Sequence, residues 1–217
     1  MSVIQFKALL LQMLSASFVS LSIFFLTLVF SIPLGCIVAS LKLSKSKIVS
    51  GITNIYIIIM RGTPLILQLL FFYFVPSFIF NHALNRFVSL IIAMSVNYAA
   101  YFAEIFRGGY LSIPSGLKEA GKILGFSKRQ VFFCISLPIT VKRVLPAFSG
   151  EVITLVKDTA LASVLGVAEL FRVAQTSTSR MFSLVPLVIA GVFYFVFNAL
   201  VSEFFRWMEK KLNYYNF

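Results

Sequence analysis

The sequence predicts an all-α protein that crosses a membrane five times, with its N-terminus outside and its C-terminus in the cytoplasm. Three observations carry that reading. The chain is 59% hydrophobic and 16% aromatic, with 25 Phe and only 12% charged residues. A soluble domain holds roughly 25% charged residues, so with a mean hydropathy of +0.96 the main solvent of this chain is lipid. Apolar residues fall in five runs, each near or above the about 20 residues that a helix needs to span a bilayer. Lys and Arg collect between those runs on one side, 13 in one set of loops against 4 in the other. Such a bias marks the cytoplasmic loops.

A first span fits residues 14–41, within the uncharged stretch 8–41. Residues 1–12 could form an interfacial amphipathic helix. One Lys before an overlong apolar run, with no cleavage site, is not a cleavable signal. A second span, 50–78, holds one charge, Arg61. A third, 87–106, has Glu104 near its end, three residues before Arg107, and an ion pair there would position the polar segment beyond it. Residues 107–143 form the only long polar segment. A fourth span, 144–170, is interrupted by Glu151, Lys157 and Asp158. A fifth covers 184–205. Residues 1–217 thus make a single transmembrane domain.

The net charge is +12, but its placement argues against nucleic acid. The charges cluster between apolar runs and make no basic, polar face. Cytoplasmic loops near anionic lipid account for them. Cys36 and Cys134 belong to no CxxC or Cys/His cluster, so neither a metal site nor a disulfide framework is expected. A structural role suits the lone His82.

Residues 119–138 read EAGKILGFSKRQVFFCISLP, a basic segment between apolar runs. Pro114-Ser115 can start a helix, with Ser115 near its cap, and residues 116–125 then form two to three turns. Gly121 and Gly125, four apart, share a face, and small residues there let another protein surface approach closely. Residues 116–122, G-L-K-E-A-G-K, mimic a phosphate-binding loop. That loop needs Ser or Thr next and a preceding strand. Ile123 and a membrane helix stand there instead, so this chain is not expected to bind ATP.

Charges inside spans cost about 2.5–3.5 kcal/mol each on insertion scales, so they face a partner or a cavity. Glu151 and Asp158 are two turns apart on one face, with Lys157 pointing elsewhere. Two carboxylates could hold an ammonium. Arg61, or a helix N-terminus near Gly62-Thr63-Pro64, could hold a carboxylate. Alternatively the charges neutralise one another and keep helices in register. Asn97, Tyr98 and Tyr101 put polar tips on the third span, where they either line a path or pack.

The spacing of the polar segment (E-A-G, three residues, Gly125, nine residues, Ile135, one residue, Leu137-Pro138) resembles the cytoplasmic EAA signature of importer-type ABC permeases. MRGTPLILQ at 60–68, NYAAYFAEIFRGG at 97–109 and LPAFSGEVITLVKDTAL at 145–161 resemble segments of the polar amino-acid members (histidine, glutamine and arginine permease type). Leu117, Gly121, Gly150 and Ala160 stand where the family usually has Gln, Ala, Asn and Ser. Gly150 and Ala160 remove hydrogen-bonding side chains from the implied pocket.

The resemblance implies a type I importer permease fold in the bacterial plasma (inner) membrane. It implies a non-catalytic subunit with no cofactor of its own, ATP and Mg²⁺ residing on a partner. Gly116, Lys118, Glu119, Ala120, Gly121, Leu124 and Gly125 would form the ATPase-coupling surface. Arg61, Asn97, Tyr98, Tyr101, Glu151, Asp158 and Thr159 would form the substrate-binding set. Implied partners are an ATP-binding-cassette ATPase dimer, a second permease chain (identical or homologous), an extracytoplasmic solute-binding protein and a polar amino acid. The competing expectation is an ion- or proton-coupled secondary transporter using the buried carboxylates.

Overall fold

The computed structural model describes residues 3–82 and 84–212, and every regular element among them is helical. Helix α1 runs unbroken from Val3 to Lys42. The expected interfacial helix at 1–12 is therefore the first part of α1 from Val3 onward, and Met1 and Ser2 lie outside the described residues.

The expected second span, 50–78, is two helices: α2 (Lys47–Gly62) and α3 (Leu65–Phe80), bent by 112°. Pro64 has no N–H to continue α2, and its ring clashes with the preceding turn. Four helices are long and apolar enough to cross a membrane, five if the bent pair counts as one.

Helix α4 (Arg86–Leu111) starts on Asn85, whose Oδ1 accepts from the N–H groups of Phe87 and Val88 at 2.9 and 3.4 Å. It is the centre of the bundle. Of its most apolar window 67% is buried, against 11% for α9 (Val185–Leu212). Its neighbours are α1, α2, α3 and α7 (Leu137–Asp158). Close crossing with α1 requires Gly35: a Cβ there would stand 2.8 Å from the Cβ of Phe102. The main core joins Phe102, Leu90, Met94, Leu69, Ile23 and Leu155, and offset rings of Phe102, Phe106 and Phe148 extend it towards α7.

A short helix, α5 (Ser115–Ile123), and one turn of α6 (Lys128–Gln130) follow. Pro114 occupies the N-cap of α5 without a side-chain bond, so Ser115 is the first helical residue and not the cap. Ser127 and Gln130 bond each other's backbone N–H in a capping box that starts α6. From α6 the chain runs through a π-helical turn (Val131–Ser136) into α7 and a 3₁₀ segment (Thr159–Leu165). Pro138 cannot donate to Cys134, and the helix widens just before it, with Leu137 N–H reaching the Phe132 carbonyl. The apolar rod thus spans Lys128–Leu165, 38 residues, where the sequence placed a span only over 144–170. Lys128, Arg129 and Arg143 are exposed on it, which is how a charged stretch stays helical. Finally α8 (Leu170–Met181) packs on α1 and α9.

Candidate functional site

The seven residues expected to contact substrate divide into two groups. Most lie around the α4–α7 contact. The Tyr98 hydroxyl donates to Asp158 Oδ2 at 2.7 Å. One turn on, Tyr101 carries the Arg61 guanidinium 5.3 Å from its ring centroid, a cation–π distance. The two tyrosine rings are 6.2 Å apart, so α2, α4 and α7 bring opposite charges to the two sides of one aromatic pair. Glu151 is half-buried and within electrostatic reach of both Arg61 and Asp158. Gly150 is exposed, and beyond its own turn of helix nothing lies within 4 Å of where its Cβ would be. An Asn side chain would have room there. Lys157 is exposed and lies within electrostatic reach of Asp158.

Asn97 and Thr159 stand apart. Thr159 is 1% exposed and its hydroxyl donates to the Val156 carbonyl at 2.8 Å. Asn97 is 4% exposed, and its amide N–H groups go to the Met60 carbonyl (2.9 Å) and to Gln68 Oε1 (2.8 Å). Asn97 is a bracket on the α2–α3 bend. Sequence alone could not separate it from Tyr98 and Tyr101, because all three share a stretch of α4.

The segment around α5 is a second distinct surface. Gly121 is buried by its own chain: a Cβ there would meet Ile135 Cδ1 at 2.7 Å and Val131 Cγ2 at 3.2 Å. The expectation that Gly121 leaves room for a foreign surface is thus corrected. The nine-residue spacing from Gly125 to Ile135 folds Ile135 back over Gly121. Gly125 has φ +81°, with Phe126 N–H bonded to the Gly121 carbonyl and Gly125 N–H to the Lys122 carbonyl, both at 3.0 Å. That pair of bonds is a Schellman cap, which glycine makes without strain. The Lys118 ammonium sits 4.1 Å from the Tyr110 ring centroid. Arg143 donates to the Ser112 carbonyl. Glu104 and Arg107, as the sequence suggested, form a bidentate pair at 2.7 Å. The outward face of α5 carries Gly116, Glu119, Ala120 and Lys122. It ends in Ile123 and Leu124, exposed by 87% and 74%. Ile123 was not singled out from sequence, though its place beside Leu124 at the helix end was a signal.

Glu169 was missed entirely. It is wholly buried, caps α8 by accepting from Phe171 and Arg172 N–H at 2.7 and 2.6 Å, and takes the Tyr194 hydroxyl at 3.0 Å. Ser20 joins it, donating at 3.4 Å and accepting the Leu170 N–H at 3.2 Å. One carboxylate thus ties α1, α8 and α9 together.

Long apolar helices packed around α4, charged groups gathered beside Tyr98 and Tyr101, and a capped short helix α5 make this a polytopic membrane protein. The chain belongs to the family described as binding-protein-dependent transport system inner membrane component, whose pattern matches residues 31–214. It is 37% identical to the L-cystine transport system permease protein TcyB of Bacillus subtilis over 193 residues, 88% of this chain and 82% of that one. It is 32% identical to the arginine transport system permease protein ArtQ of the same organism, covering 89% of each. With the glutamine transport system permease protein GlnP of Escherichia coli it shares 34% identity over 76% of each chain. Among solved structures it is similar to an amino acid ABC transporter crystallised with histidines, with TM-score 0.88 and 28% identity over 97% and 99% of the two chains. An inward-facing methionine transporter, MetNI, shares the fold at TM-score 0.72 and 20% identity, over 98% and 99% of the chains. Members of this family are non-catalytic inner-membrane permease subunits of ABC importers, in which a separate ATPase hydrolyses ATP. The ion-coupled alternative gains no support from any of these matches.

Proposed function

We propose that this chain is the translocation subunit of an importer for a polar amino acid, driven by an ATP-binding-cassette ATPase dimer that seats on α5. The observation that carries the reading is the form of α5. Its own chain covers Gly121, and at the helix end Ile123 and Leu124 stand largely exposed among the described residues. Exposed apolar pairs beside charged residues fit a protein partner. The Lys/Arg bias supports a cytoplasmic position for α5, with the N-terminus outside. A second permease chain, identical or homologous, completes the pathway, and an extracytoplasmic binding protein delivers the substrate.

In the pathway, Arg61 binds the substrate carboxylate, and Glu151 with Asp158 receives the ammonium or a basic side chain. Tyr98 and Tyr101 hold these charges apart. Closure of the ATPases moves α5, and with it the ends of α4 and α7, switching access from one side to the other. Cystine, arginine and glutamine, named for the relatives, are all polar amino acids, and the charge set suits their shared backbone groups.

Reconstituted uptake tests this. Proteoliposomes holding the permease, its ATPase and its binding protein should accumulate amino acid only with internal ATP. Leu124→Asp should abolish uptake while the protein still inserts. Uptake that follows an ion gradient without ATP and survives Leu124→Asp overturns the reading.

A further inference from the structure

We propose that Gln68 and Asn97 are positioning residues that hold the α2–α3 bend so that Arg61 stands over Tyr101, and that through Arg61 they set recognition of the substrate carboxylate. The inference rests on the proposed role of Arg61 as the carboxylate's partner.

Pro64 creates the need for such a bracket. In a continuing helix the Met60 carbonyl would accept the N–H of residue 64, and proline has none. An orphaned carbonyl is expensive in a bilayer, where water cannot replace the lost donor. Two side-chain amides supply what proline removes. Asn97 Nδ2 donates to the Met60 carbonyl at 2.9 Å and Gln68 Nε2 at 3.0 Å. Gln68 Nε2 also reaches Thr63 Oγ1 at 2.7 Å and the Thr63 carbonyl at 3.2 Å, so one amide of α3 grips the end of α2. Gln68 Oε1 accepts the other Asn97 N–H at 2.8 Å.

Gln68 and Asn97 are 7% and 4% exposed, and their amide N–H groups are engaged within the bracket. Neither is therefore a substrate contact. Their effect passes along the two helices. Arg61 directly follows Met60, and Tyr101 lies one turn beyond Asn97. The clip at Met60–Asn97 and the stack at Arg61–Tyr101 are successive rungs between α2 and α4. Releasing the first lets the bend open and carries Arg61 off the ring.

The test is equilibrium binding to the purified permease–ATPase complex. Labelled L-arginine, L-glutamine and L-cystine are the probes, each competed by the unlabelled acid and by its α-amide, which lacks the carboxylate. The wild type should prefer acid to amide by about tenfold or more, the scale of a hydrogen bond to a charged group. Arg61→Ala and Gln68→Leu should each bring that ratio near one, and the double variant should go no further. Pro64→Ala gives the Met60 carbonyl a backbone donor again. Adding it to Gln68→Leu should restore protein yield but not the ratio, because a backbone N–H replaces the lost Gln68 donor beside Asn97 while the bend is not held.

If Gln68→Leu keeps the preference that Arg61→Ala loses, the positioning inference falls alone. If Pro64→Ala restores both yield and preference, Gln68 serves stability only and the inference falls. If no probe binds, if the wild type shows no acid preference, or if Arg61→Ala retains it, the role of Arg61 fails and takes the inference with it.

Discussion

The Tyr98 hydroxyl and the Asp158 carboxylate meet at 2.7 Å, joining the middle of α4 to the last residue of α7 across 60 positions of sequence. Tyr98 is 2% exposed, so its ring is fixed by packing and its hydroxyl has one direction to point. Tyr98→Phe keeps the contact with Phe102 and leaves the carboxylate short of a donor. A hydrogen bond to a charged group is worth about 1.5–3 kcal/mol, and each kcal/mol moves Tm by about 2–4 °C at this chain length. The purified variant should melt several degrees lower. Asp158→Asn keeps an acceptor and should lose less; equal melting of wild type and Tyr98→Phe would show the bond to be idle.

Glu169 should tolerate exchange only for an acceptor. Glu169→Ala strips the cap from α8, at about 0.5–2 kcal/mol, and leaves the buried Tyr194 hydroxyl and Ser20 without their partner, at about 1–3 kcal/mol more. The alanine variant is expected to accumulate poorly in membranes, while Glu169→Gln, with one carbonyl oxygen left to accept, should approach wild-type levels. Quantitative immunoblotting of membrane fractions decides it. Equal yields for the two variants would mean that the carboxylate does not hold the three helices.

Gly109 marks the crossing of α4 and α7. A Cβ there would collide with Val144 Cγ1 and reach Thr140 Cγ2 at 3.4 Å. Val144 is β-branched and stiff at χ1, so Gly109→Ala should cost about 1–3 kcal/mol through overpacking. Adding Val144→Ala removes the obstructing methyls and should recover most of the lost Tm. No recovery in the double variant would place the strain elsewhere.

Two glycines of the projecting segment should respond differently. Gly125→Ala forces a Cβ into φ +81°, at about 1–2 kcal/mol. At Gly121 the nearest obstacle is Ile135 Cδ1, the far end of a side chain that can turn. Gly121→Ala should therefore be mild, whereas Gly121→Leu should expel Ile135 and expose this segment to protease. Limited proteolysis at residues 115–127 separates the cases, and faster cutting of the alanine than of the leucine variant at position 121 would contradict the packing described.

The sequence carried the apolar runs, which are four spans or five with the bent pair, the basic segment and most of the charged set, because hydropathy runs and charge placement are local signals. It also showed Gly62-Thr63-Pro64 as a helix terminus. What it could not supply was the 112° turn, since two short apolar helices and one long one have the same composition. The early start of the fourth rod at Lys128 was hidden by its exposed charges, which read as loop. Asn97 looked like a path residue because only the partner 37 residues away, the carbonyl of Met60, reveals its task. Glu169 closed an apolar run as any terminal charge would. Its burial depends on Ser20 and Tyr194, which lie far away along the chain.

The Schellman turn at Gly125 has a mechanical side. A nine-residue helix is too short to persist alone in water. Here it is finished by its own cap, backed by Ile135 and Val131 and leaned on by Lys118 over Tyr110. These contacts hold its shape without a partner. A partner seating on Ile123 and Leu124 has no disordered loop to freeze, so little of the contact free energy goes into ordering. On the proposed reading, displacement arriving at α5 would pass as motion into α4 and α7, as through a rigid crank.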